Sequence, residues 1–111
     1  MAYDEALAER IRELIGGERG LTEQKMFGGL AFLVNGNMSI AASGQGGVLV
    51  RVDPEESDVL TKRKGVSVME MRGRQMTGWL RVDADALRTK QQLSTWVDRG
   101  LAFARSLPPK R

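Results

Sequence analysis

Between residues 25 and 52 the chain reads KMFGGLAFLVNGNMSIAASGQGGVLVRV, a stretch that holds six of the thirteen glycines and no charge between Lys25 and Arg51. Glycine costs a helix interior about 1 kcal/mol relative to alanine, so short extended pieces joined by turns are the expected form. Asn35-Gly36 is a hairpin signal, because both residues tolerate positive φ. A two-residue turn there would pair Leu33 with Met38 and set Phe32 beside Ser39, mixing polar and apolar residues on each face. A three-residue loop, Val34-Asn35-Gly36 with Gly36 in a bulge, pairs Phe32 with Met38 and Leu30 with Ile40. The second register gathers those four on one buried face and is the one the hydrophobic pattern favours. Gly28 and Gly29 admit a bend at the start of the first strand, and SGQGG, residues 43–47, reads as a turn. In the strand after it Val48, Val50 and Val52 alternate with Leu49 and Arg51, which completes a three-stranded meander.

The flanking segments change period. Leu7, Ile11, Leu14 and Ile15 share one helical face, with Asp4 and Glu5 at the positive end of the helix dipole and Gly16 or Gly17 as the stop. DPEESDVLTKRKG predicts a second helix: Asp53 as N-cap, Pro54 at the first position, Glu56 completing a capping box, Val59 and Leu60 inward, Gly65 as terminator. Two further strands are expected over residues 66–70 and 76–82, joined by the arginine-rich turn MRGRQ. In the later one Met76, Gly78, Leu80 and Val82 share one face, and Thr77, Trp79 and Arg81 the other. The tail aligns Leu93, Trp96, Val97, Leu101, Ala104 and Leu107 on a stripe ended by Pro108 and Pro109, and Gly100 within it reads as a close-packing position. The order α-β-β-β-α-β-β-α predicts one α+β domain over residues 1–111: two layers, with a five-stranded, mainly antiparallel sheet and helices on one face. A chain of this length buries roughly 60–70% of its unfolded surface, enough for one core.

Histidine and cysteine are both absent. Disulfides, thiol nucleophiles, imidazole or thiolate zinc sites, Ser-His-Asp relays and near-neutral proton shuttles are thereby excluded. No catalytic residue, metal or cofactor is expected, and a set such as Arg74 and Tyr3 with a carboxylate has no spacing that asks for chemistry. No apolar run reaches the ~18 residues of a membrane span, and the first ten residues lack the pattern of a secretory signal, so a cytoplasmic protein is expected. The net charge of +3 admits an acidic partner.

The motifs KMFGGLAFLVNGNM, VLVRVD, EMRGRQMTGWLRVD and LSTWVDRGLAFAR, together with the element order, resemble the TfoX/Sxy N-terminal domain family over nearly the whole chain. The resemblance implies a small α+β domain related to bacterial competence regulators, whose full-length members carry a second domain and act with a transcription activator. A stand-alone N-terminal-type domain with a non-enzymatic regulatory or protein-interaction role is expected from it.

Two candidate surfaces follow from the residues. Lys62, Arg63, Lys64, Arg72 and Arg74, with Arg51 and Arg81 beside them, would contact nucleic acid or another anion if the second predicted helix and the MRGRQ turn ended at one edge. The alternative is a solvated helix end, since cations are favoured there. Leu49 and Trp79, with Met69, fall on the sheet face opposite the helices, where an apolar group suggests a partner or homodimer surface unless a local segment covers it; an exposed strand edge is the other route to a homodimer. Asp83 and Asp85 read as caps rather than metal ligands, and SGQGG as a hairpin turn rather than an anion cradle.

Overall fold

The computed structural model describes residues 3–26 and 28–108. Helix α1 spans Glu5–Ile15, and the Asp4 carboxylate accepts from the amides of Ala6 and Leu7 at its start. Four strands follow: β1 Leu21–Met26, β2 Gly29–Val34, β3 Asn37–Ala42 and β4 Val48–Arg51. A 3-10 turn over Pro54–Glu56 and the single helical turn α2, Ser57–Leu60, lead into β5 Val66–Met71 and β6 Arg74–Val82. A second 3-10 turn, Ala84–Leu87, precedes α3, Lys90–Ser106, which opens on a Thr89/Gln92 capping box. The strands form one antiparallel sheet in the order β1-β2-β3-β4-β6-β5.

The class is the expected α+β, with six strands where five were read. The strand missed is β1. Its sequence, LTEQKM, is exposed along its middle and buried only partly at its two ends, so it lacks the alternation that marks a strand with one face in the core. Pairing to β2 holds it by backbone hydrogen bonds, and a bidentate pair from Arg12 on α1 to Glu23, at 2.7 and 2.8 Å, ties its outer surface to the helix. Arg105 of α3 makes a second such pair with Glu18 in the α1–β1 connection. Both carboxyls are held below the ordinary carboxylate range by those guanidinium hydrogen bonds.

The β2–β3 hairpin corrects the expected register. Asn35 and Gly36 alone form the turn, at φ 52° and 83°, and Val34 pairs with Asn37 and Leu33 with Met38. The conflict that spoke against this turn is resolved by a bulge: Ser39 is the extra residue, its hydroxyl donates to the Phe32 carbonyl at 2.8 Å, and Phe32 meets Ile40. Leu30, Phe32 and Ile40 therefore enter the helix-side core, while Met38 turns to the other face with Leu33.

The second predicted helix is also shorter than read. Asp53 caps the 3-10 turn by accepting from Glu55, only Leu60 of the apolar pair is buried, and Val59 is 66% exposed. Residues 61–65 leave the helix before Gly65, which takes φ 82°.

The main core lies between the sheet and α1 and α3, and is built on Ile11, Phe32, Ile40, Val50, Leu80, Leu93, Trp96 and Val97. Of the predicted tail stripe, Leu107 is the exception: it sits at the helix C-cap and is only partly buried. Pro108 follows the helix end, and Pro109 lies outside the described residues. No helix among the described residues is long and apolar enough to cross a membrane.

Candidate functional site

The opposite sheet face carries a second apolar cluster. Ala31, Leu33, Met38, Ala41, Leu49 and Met69 are buried there, with Met26, Met71, Met76 and Trp79 packed partly against them. Five of the chain's six methionines thus share one face. Directly opposed residues of antiparallel strands point to the same side, and one such row runs from edge to edge: Gln24, Ala31, Ala41, Leu49, Arg81, Ser67. Two alanines in the middle of the row leave room above the sheet. The strand edges supply the walls, because the sheet curls until Met26 of β1 and Met69 and Met71 of β5 border the same open cavity of about 660 Å³.

A bulge in β6 enlarges this face. Val68 pairs with Leu80 and Met69 with Met76, so Thr77, Gly78 and Trp79 have no partner position on β5. Gly78, at φ 90°, donates to the Ser57 hydroxyl at 2.8 Å and accepts from the Val52 amide at 2.7 Å. The strict alternation expected for this strand fails at that point. Met76 moves from the face of Leu80 to the face of Trp79.

Leu49, read as half of a partner surface, is 3% exposed and forms cavity floor between Ala41 and Arg81. Trp79 is half-buried at the margin of the cluster, opposite Arg51, whose guanidinium lies 5.0 Å from its ring centroid and 5.5 Å from that of Phe103. A local cover is therefore present on the tryptophan, and the residue stays partly accessible.

The basic residues separate. Lys62, Arg63 and Lys64 lead into the start of β5, whereas Arg72 and Arg74 flank Gly73 in the turn at its far end. A six-residue strand spans roughly 17 Å, so the two groups occupy opposite ends of the edge strand. Arg63 lies over the Trp96 ring at 5.9 Å. Arg81 enters the cavity floor and Arg72 borders the cavity; the Arg81 hydrogen bond is a long one, Nη2 to the Ser43 hydroxyl at 3.4 Å.

Asp83 caps nothing with its side chain; its amide donates to the Gly65 carbonyl. Asp85 pairs with Arg88 at 3.0 Å. SGQGG forms the β3–β4 turn, closed by bonds between Ser43 and Gly47 and between Ser43 and Gly46.

The sequence model of the family described as the TfoX N-terminal domain matches residues 13–104. The chain belongs to that family. No curated protein matches it. The matched span of this TfoX N-terminal domain contains the whole sheet and every residue around the cavity, and begins within α1. Phe27 of its Met-Phe-Gly-Gly motif lies outside the described residues. The wall residues Met26 and Met71 escaped sequence reasoning. Met26 ends a strand with no apolar alternation, and Met71 sits in the arginine-rich turn motif MRGRQ, which carries no strand signal.

Proposed function

We propose that this TfoX N-terminal domain is a non-enzymatic regulatory domain that acts by binding protein, in the first instance a second copy of itself, through the sheet margin around Trp79. The observation that carries the reading is the one-sided helix layer: α1 and α3 cover one sheet face, while the other keeps a second apolar cluster with an accessible tryptophan at its margin. Trp79 is only partly exposed, so burying the remainder between subunits is worth about 0.5–2 kcal/mol per side chain before association costs. The chain's inventory agrees, since histidine and cysteine are missing. The carboxyls of Glu18 and Glu23 are lowered by arginine ion pairs away from the cavity, the reverse of what a general acid needs.

Sedimentation of the wild-type chain at micromolar concentration tests the proposal, with Trp79→Ala as the probe of the contact. A concentration-dependent dimer that Trp79→Ala dissociates is the expected result. A wild-type monomer that also recovers no protein from its own cells defeats it. Steeply salt-dependent binding to duplex DNA, lost when Lys62, Arg63, Lys64, Arg72 and Arg74 become alanine, would move the function to the alternative, direct nucleic-acid binding.

A further inference from the structure

We propose that the cavity on the methionine face binds a small anionic amphiphile, an acyl carboxylate of medium length, with Arg81 holding the carboxylate and the methionine walls holding the chain. The inference does not depend on the partner reading, which concerns the margin at Trp79.

Three observations converge on this ligand class. The first is size: about 660 Å³ falls in the range of small-molecule sites. The second is the lining. It is mixed in polarity: Met26, Met69, Met71, Ala41 and Leu49 form an apolar part, beside Ser43, Gln45 and Ser67, and methionine adapts to unbranched apolar groups through three soft torsions and a polarisable sulfur.

The third is a cation without a counter-ion. Arg81 emerges from the floor between Leu49 and Ser67, its neighbours on the adjacent strands. No carboxylate among the described residues lies within ion-pair distance of it. A guanidinium offers five donors in a planar fork suited to bidentate carboxylate binding, and the long bond to Ser43 engages only Nη2. A half-buried charge beside apolar walls gains most from a ligand that neutralises it. Two arginines, Arg72 and Arg81, against one glutamate, Glu70, leave the lining with a surplus of positive charge, so an anion is preferred over a neutral or cationic amphiphile.

Calorimetric titration of the full chain with decanoate, and with decanol as its uncharged counterpart, tests the assignment. Decanoate should bind at least about tenfold more tightly than decanol, since a charge-assisted hydrogen-bonded contact is worth that or more. Arg81→Met should erase the difference. Ser67→Phe, which introduces a ring at an exposed position on the cavity wall, should block decanoate without touching the core. Equal affinity for decanoate and decanol, no heat with millimolar decanoate, or unchanged binding in a folded Arg81→Met chain would each overturn the proposal. Should Arg81→Met fail to fold, the wild-type comparison and Ser67→Phe decide the question alone.

Discussion

The α-carbon of Gly100 faces the carbonyl of Ser39 so closely that a β-carbon there would lie 2.4 Å from the oxygen. The contact joins the middle of α3 to the bulge in β3, and it reverses what helix propensity predicts. Alanine should favour an exposed helix by about 1 kcal/mol over glycine; here the added methyl meets backbone. Gly100→Ala is expected to destabilise the fold by about 1–3 kcal/mol, the usual range for overpacking. Denaturant unfolding measures it, and a variant more stable than wild type would show that α3 does not sit this close to the sheet.

Ser57 and Gly78 form a second buried link. Ser57→Ala would leave the Gly78 amide without its acceptor, an expected loss of about 1–3 kcal/mol. Because Gly78 sets the bulge beside Trp79, the substitution should also shift tryptophan emission in the native state. A stability loss below about 0.5 kcal/mol would mean that water replaces the hydroxyl.

Arg51 lies against both Trp79 and Phe103. Replacing it with methionine keeps most of the apolar stem and removes the cation, so a loss of about 0.5–1 kcal/mol is expected. The accompanying readout is sedimentation. If the margin around Trp79 is the self-contact, Arg51→Met should alter dimerisation as well, whereas an unchanged dimer would place that contact elsewhere.

Acid should act through Glu18 and Glu23. Both are depressed in the folded state by hydrogen bonds from Arg105 and Arg12. Their contribution is complete above the unfolded carboxyl value of about 4.3 and disappears as pH falls through the lower folded values. The double variant Glu18→Gln, Glu23→Gln should therefore be less stable than wild type at neutral pH, and the difference should shrink on acidification to about pH 3. Denaturant midpoints at the two pH values check this. A gap that stays constant would assign the effect to packing rather than charge.

What the sequence disclosed depended on whether one face alone set the pattern. The helices α1 and α3 each bury a single stripe, and their apolar spacing was readable, as was the position of the hairpin at Asn35-Gly36, though not its two-residue length. Strand β1 was not, because an edge strand with polar residues on both sides is specified by its partner's backbone. The two bulges were hidden for a related reason. Ser39 and Gly78 each reassign a methionine from one face to the other, and periodicity assumes that no residue is skipped. The placing of Leu49, Met69 and Trp79 on one face was accessible from alternation alone. The cavity among them was not, since it arises from sheet curl and from two alanines that carry no distinguishing signal.

Strands β1 and β5 sit at the two ends of the sheet order, each paired with one neighbour among the described residues, yet both border one cavity. Side chains from both ends of the sheet therefore border one cavity, although the two segments that carry them are linked only through every other strand. The cavity is complete only when every strand of the sheet is paired, so its width is set by how the two end strands are held relative to each other. A ligand lodged there would touch both end strands at once, and the expected sign is amide exchange that slows more in β1 and β5 than in β3 or β4.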